Sequence, residues 1–377
     1  MIPYGRQSID EEDIRAVVEV LRSDWLTTGP KVAEFEQAFA DFIGVKQAVA
    51  VSNGTAALHA AMFALEIGPG DEVIVPSMTF AATANCVVFQ GATPVFADVE
   101  PDTLLIRPAE IEAKITSRSK AIIAVDYAGH PADYDAIRSI ADKHGLAVVA
   151  DACHALGASY KGRAAGSLAD LSVFSFHPVK HITTGEGGMI TTDDEKLAQK
   201  MRIFRNHGIS SEFRERERQG SWFYEMVELG YNYRISDIQC ALGIGQLRKL
   251  PDFLARRRDI AARYNQYFSS IPAVEPLNTR EGVQHAYHLY VVKVNFLQCG
   301  VERKDFFRKM RERGIRVNVH YIPVHLHPFY RRKFNTGPGL CPTAEEQYEK
   351  ITSLPIYPAM KDSEIEQVTS AVADILT

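Results

Sequence analysis

Seven short, mostly apolar runs alternating with helix-like stretches limit what this chain can become. They occupy residues 48–51, 72–76, 93–97, 121–125, 146–151, 171–175 and 187–192. Continuously apolar runs of this length suit strands buried on both faces. Helical spacing follows Ser52 and recurs over residues 82–90, 109–115, 134–144 and 195–206. Strand–helix alternation predicts an α/β fold, a mostly parallel sheet covered on both sides with right-handed crossovers. Ligands gather at the carboxyl ends of such strands. Ser52, Ser77, Asp126, Asp151 and Ser175 all fall there.

The flanking segments read differently. Residues 10–21 are an amphipathic helix with Ile14, Val17, Val18 and Leu21 on one face, and 32–43 form a second helix. Ser236 caps a helix over 237–247, and Pro251 opens another that reaches residue 268. Residues 288–294 and 317–319, with helices over 303–313 and 362–376, make a smaller α+β unit. The domains are expected at 1–250, with an N-terminal arm, and 251–377. A run rich in both signs of charge (Glu212, Arg214, Glu215, Arg216, Glu217, Arg218) reads as a solvated, mobile segment.

Charge and cysteine usage exclude several classes. A net charge of −5 leaves no electrostatic footprint for nucleic acid. No apolar leader follows Met1 and no run of eighteen apolar residues occurs, which argues against secretion and membrane spanning. Five scattered cysteines without a CxxC pair suit reduced thiols in a cytoplasmic protein.

The chemistry concentrates in Ser175-Phe176-His177-Pro178-Val179-Lys180-His181-Ile182-Thr183-Thr184-Gly185-Glu186-Gly187-Gly188. A lysine by itself is usually a solvated surface residue. Here it follows a strand and sits among Phe174, Phe176, Pro178 and Ile182, an environment that desolvates the amine and frees its lone pair. Such an amine forms a Schiff base with a carbonyl, and pyridoxal 5′-phosphate (PLP) is the common biological carbonyl partner. PLP also needs an acid to keep its pyridine nitrogen protonated. Asp151, closing the run 146–151, meets that need; it could equally be the N-cap of a following helix. Ser52-Asn53-Gly54-Thr55-Ala56 passes from strand to helix, a turn that can cradle a phosphate but that any capped α/β turn resembles.

The stretches 151–157 and 175–188, with Gly230-Tyr231-Asn232-Tyr233-Arg234-Ile235-Ser236-Asp237, resemble the DegT/DnrJ/EryC1/StrS family of sugar aminotransferases across nearly the whole chain. That resemblance implies the fold-type I PLP aminotransferase architecture and PLP as cofactor. It also implies a homodimer with shared active sites, acting on a small-molecule nucleotide sugar with glutamate as amino donor. It implies that Lys180 and Asp151 are catalytic. Thr55, Ala56, Ser175 and the partner's Asn232 would hold the cofactor phosphate, and Phe80 would stack on the ring. His154, where many relatives carry glutamine, would contact the ring's 3′-oxygen side. Tyr4, the loop Trp25-Leu26-Thr27-Thr28, Asn232, and His320, Tyr321 and His325 of a closing loop would meet the substrate. Val125 to Gly129, His154 and Ser175-Phe176-His177 resemble the pseudaminic-acid branch, implying a UDP-linked 4-keto-6-deoxy-N-acetylhexosamine.

Alternatives stay open on the residues. Another nucleotide-linked 3- or 4-keto sugar, such as a dTDP-4-keto-6-deoxyhexose, is the near one. A same-fold sugar dehydratase is disfavoured because that branch replaces the lysine with histidine. A non-catalytic regulator is the third. His325 and His327 would share a strand face and could suggest a metal, but no carboxylate or cysteine stands at ligand spacing, so none is expected.

Overall fold

The structure, a computed structural model, describes residues 1–210, 216 and 220–376. Most of the mixed-charge run, Glu212 to Arg218, lies outside the described residues, Arg216 excepted.

The expected strands are present as β1 (Gln47–Val51), β2 (Glu72–Pro76), β3 (Thr93–Ala97), β4 (Ser119–Val125) and β5 (Ala147–Asp151). After a small hairpin, β6 (Ser159–Tyr160) and β7 (Arg163–Ala164), come β8 (Leu171–Ser175) and β9 (Gly188–Thr192). One seven-stranded sheet runs β1-β9-β8-β5-β4-β2-β3. Only β9 is antiparallel to its neighbours. The register aligns Val51, Gly188 and Ser175 along one edge and places Asp151 beside Val125.

Helices α1 (Glu11–Leu21), α2 (Pro30–Ile43), α3 (Gly54–Ala64), α4 (Ala81–Phe89), α5 (Pro108–Ala113), α6 (Tyr134–His144) and α7 (Glu195–Arg205) follow the expected order. Two apolar layers form, one on each face of the sheet. Val49, Leu58, Val75 and Val173 belong to one; Phe35, Phe39, Phe174 and Phe176 belong to the other. The phenylalanine rings of the second layer lie 5.1–6.2 Å apart. They hold the end of β8, from which the Lys180 loop departs, in a rigid apolar setting.

Two expectations are corrected here. The face of α1 carrying Ile14, Val17, Val18 and Leu21 is not buried: Ile14 and Leu21 are exposed, and the buried members are Asp13 and Val20. Polar burial won over apolar periodicity, because Asp13 pairs with Lys249 and accepts from Gln246. Pro251 does not open a helix. It lies within α8 (Asp237–Phe268), a single 32-residue helix. Ser236 caps α8 with a reciprocal capping box, an arrangement contributing about 1 kcal/mol.

Beyond α8 the chain forms β10 (Val274–Pro276), β11 (Val283–Gln284), β12 (Tyr290–Val294) and β13 (Ile351–Leu354). Strands β10-β12-β13 make a second, antiparallel sheet, packed with α9 (Arg303–Glu312) and α12 (Asp362–Leu376). Between these two helices lie α10 (Pro328–Phe334) and α11 (Pro342–Lys350). Residues 317–319 contribute only a lone bridge, Asn318 to Ser353. Strand β11 pairs back onto β6 beside the large sheet. No described helix is long and apolar enough to cross a membrane.

Candidate active site

The site grows from the carboxyl edge of the sheet. At β8 the chain turns into a loop closed upon itself. Phe176 N–H donates to Gly187 O at 2.8 Å, Thr184 N–H to Phe176 O at 3.0 Å, and Lys180 N–H to His177 O at 2.8 Å. Phe174, Phe176 and Ile182 are buried beneath it, as the sequence suggested. Lys180 keeps part of its surface open, yet desolvation holds its amine below the ordinary lysine pKa, outweighing the opposing pull of Cys153 and Asp151.

Asp151 ends β5 and is buried. No helix follows it, so the N-cap alternative fails. Thr83 Oγ1 donates to Asp151 Oδ2 at 2.7 Å, Thr79 and Thr83 hydroxyls meet at 2.7 Å, and Cys153 N–H donates to Oδ1 at 3.3 Å. Thr79 and Thr83, on the first turn of α4 and just before it, brace the carboxylate. Sequence reasoning missed both, because nothing local to Thr83 signals a partner 68 positions away.

Thr55 and Ala56 lie in the first turn of α3, whose cap Asn53 accepts from Ala56 N–H at 2.8 Å. The close approach of this turn to β8 and β9 is enforced by glycine. A Cβ at Gly54 would meet Ser175 Cβ at 3.0 Å, and one at Gly188 would meet the Asn53 carbonyl carbon at 2.6 Å. Ser175 is thereby brought beside a helix N-terminus that faces anions well.

His154 is buried and neutral, its pKa driven well down by desolvation and then by the Lys180 charge. Ala128 N–H points at its Nδ1 at 3.3 Å, and the Tyr321 hydroxyl lies 3.0 Å from Nε2. With Nδ1 accepting, the proton sits on Nε2 and the tyrosine oxygen accepts it. The Tyr321 hydroxyl proton is then free for a ligand. Phe80, 59% exposed at the cap of α4, has its ring 5.8 Å from that of Tyr321.

The other expected substrate contacts divide. Tyr4 lies with its ring 5.4 Å from His320. His320 itself is committed elsewhere: its Nδ1 lies 2.8 Å from Ser353 Oγ, its Nε2 lies 3.3 Å from Asn318 Nδ2, and its carbonyl accepts from the Tyr127 hydroxyl. His325 is corrected too. It is fully buried in a short 3-10 turn, not a strand, and bonds Glu345 at 2.9 Å. Among the described residues no cluster of three or more potential metal ligands occurs. Leu26 and Thr27 are exposed beside the start of α8, where Leu26 O accepts from Asp237 N–H; Thr27 bridges Ser236. Trp25 is half-buried, and Thr28 takes a left-handed conformation with φ 55°. Asn232 is exposed and bridges Asn206, and the neighbouring Tyr233 O accepts from Ser52 N–H at 2.8 Å.

A desolvated amine facing a braced carboxylate, beside a helix N-terminus on a mixed seven-stranded sheet, defines an α/β enzyme for carbonyl–amine chemistry. The chain belongs to the DegT/DnrJ/EryC1/StrS aminotransferase family, which it matches over residues 7–373. It is 45% identical to the spore coat polysaccharide biosynthesis protein SpsC of Bacillus subtilis, covering 100% of this chain and 97% of that one. PseC of Helicobacter pylori, an aminotransferase involved in the biosynthesis of pseudoaminic acid, superposes with a TM-score of 0.92 at 34% identity, covering 100% and 99% of the two chains. A Streptococcus pneumoniae protein solved in PMP-form superposes with a TM-score of 0.94 at 34% identity, and its PLP-form with 0.92 at 35%, each over 100% of both chains.

Proposed function

We propose that this chain is a cytoplasmic PLP-dependent aminotransferase that transfers the amino group of glutamate to C4 of a UDP-linked 4-keto-6-deoxy-N-acetylhexosamine. The observation that carries the chemistry is the Lys180 amine, desolvated at the mouth of the sheet beside Asp151. The site suits the cofactor on its own terms, since Gly54 lets the α3 N-terminus close on Ser175 at the sheet edge from which the Lys180 loop departs. PLP bound there supplies an electron sink and carries the amino group between donor and acceptor.

The chain's residues do the rest. The Thr55 backbone N–H and the Ser175 hydroxyl would hold the phosphate, with Ala56 N–H joining them if the phosphate displaces the Asn53 cap. Asp151, locked by Thr83, would keep the ring nitrogen protonated. Lys180 Nζ, held below the ordinary lysine pKa by desolvation, would carry a proton from one carbon position to another. Phe80 would cover the ring and exclude water. His154 and Tyr321 would form a polar wall with one hydroxyl proton to give.

The branch-level substrate rests on the pseudaminic-acid details of the sequence and on the likeness to PseC. Tyr4, Tyr321 and the Trp25 loop remain to recognise the N-acetyl group, since His320 and His325 are occupied. A site that pairs with an amide rejects analogues lacking one. We expect kcat/KM for the UDP-4-keto-6-deoxy-N-acetylhexosamine of L-altro type to exceed that for dTDP-4-keto-6-deoxyglucose by at least about 100-fold. Equal or better use of the dTDP sugar would leave only the sugar-aminotransferase assignment standing.

The same reading makes the enzyme a C2 homodimer with Asn232 acting in trans. Trp222, Phe223, Met226 and Leu229 are all more than half exposed just before Asn232, an apolar run that a second copy would cover. Mixing Lys180→Ala with Asn232→Ala should regenerate activity through mixed dimers holding one intact site. Demonstrated subunit exchange without recovery would contradict the shared site.

A further inference from the structure

We propose that His288 is the positioning residue for Lys180, its Nε2 accepting a hydrogen bond from the lysine nitrogen in both of that group's protonation states. The inference rests on the reading of Lys180 as the working amine and adds a residue from the C-terminal part of the chain.

His288 Nε2 lies 3.5 Å from Lys180 Nζ, and the ring is buried. Its Nδ1 is also buried and has no partner, a feature that His181 shares. The neighbouring histidines differ in what their other nitrogen or nitrogens meet. His181 Nε2 lies 3.1 Å from Ala286 O, and His130 and His285 each bond backbone groups. They fasten the segment; His288 spends its nearer nitrogen on the amine.

The backbone of His288 is clamped from two sides. On one, Ala286 N–H donates to Gly129 O at 2.9 Å and Leu289 N–H to Ala128 O at 3.2 Å. A Cβ at Gly129, where φ is +105°, would stand 2.8 Å from Tyr287 N and 3.0 Å from His288 N, so only glycine admits this approach. On the other, the fully buried Arg257 of α8 donates through Nη1 to Tyr287 O at 3.1 Å and His288 O at 3.3 Å. Both fix where residue 288 stands, and Arg257 Nη1 also donates to Ile356 O at 3.1 Å.

Lysine in this role alternates between amine and ammonium. A neutral imidazole with its proton kept on Nδ1 suits both without a change of tautomer: Nε2 accepts an N–H from the amine and, more strongly, from the ammonium. No proton is gained or lost by the ring overall. The groups facing Lys180 are Asp151, Cys153 and His154 from the β5 end, His181 from its own loop, His320, and His288; Arg257 faces His181 and His288 from α8. Desolvation first, then the Lys180 charge and, last, that of Arg257 hold the His288 pKa well below the ordinary imidazole value.

The test uses the purified apo-enzyme, so it reads the amine whether or not the substrate assignment holds. Trace acetylation of Lys180 across roughly pH 6 to 10, quantified by peptide mass spectrometry, gives the amine's titration. In His288→Phe the ammonium loses its acceptor, so the midpoint should move to lower pH, and kcat of the reconstituted enzyme should fall about 10- to 100-fold. His288→Gln, whose amide can donate or accept, should recover much of both. Should His288→Phe not fold, His288→Asn, too short to reach, is read by the same criteria. A titration superimposable on wild type, with kcat within about twofold, would overturn the proposal. Failure of Lys180 to carry the cofactor would instead sink the proposed function and leave this titration interpretable.

Discussion

Asp151→Asn is expected to lower kcat by about 10²- to 10³-fold, the usual cost of removing one preorganised electrostatic partner. An amide cannot hold a proton on a pyridine nitrogen by charge, and it offers the Thr83 hydroxyl a weaker acceptor. Asp151 is buried at the end of β5 with one oxygen locked by Thr83 at 2.7 Å. Its carboxylate therefore cannot swing away, nor can water replace it. The substitution is nearly isosteric, so the fold should survive, and circular dichroism beside steady-state kinetics separates the two effects. A variant with wild-type kcat would show that Asp151 is a structural end-cap and not the cofactor's acid.

Lys180→Ala should be the more damaging change, at least about 10⁴-fold in kcat. It removes both the anchoring amine and the group that carries the proton. Few local contacts go with it, because the loop is closed by backbone bonds of Phe176, Thr184 and Gly187 and not by the lysine side chain. A folded but inert protein is therefore the expected result. Residual turnover within about tenfold of wild type would mean that another group does this work.

Much of the frame was legible in the chain. The seven apolar runs became the seven strands of the large sheet because a strand buried on both faces leaves an unmistakable local signal. The places of Asp151, closing one such run, and of Lys180, in the loop after another, follow from the same signal. The first lapse was at α1, where apolar periodicity pointed to Ile14 and Leu21. The buried face instead belongs to Asp13, which finds Lys249 and Gln246 on α8. Periodicity cannot see a partner more than 200 positions away. Pro251 misled similarly, since its lost N–H costs a helix less when packing on both flanks holds it straight.

The site's second layer was largely invisible. Thr83, His288 and Gly129 carry no local motif; each acquires meaning only when distant segments meet at the sheet edge. His320 and His325, expected to meet a ligand from a histidine-rich loop, each have tertiary partners that the sequence does not signal. Ser353 and Asn318 hold the first, Glu345 the second. Tyr321, between them, is the member whose hydroxyl keeps a proton to give.

The central claim is that Lys180 is the covalent anchor of the cofactor, and one measurement addresses it directly. The protein is loaded with PLP, reduced with borohydride, digested and mapped by mass spectrometry. The account predicts a pyridoxyl mass on the peptide containing Lys180, at close to one per chain, and its loss in Lys180→Ala. A label on a different lysine, or none from a fully loaded sample, would contradict it.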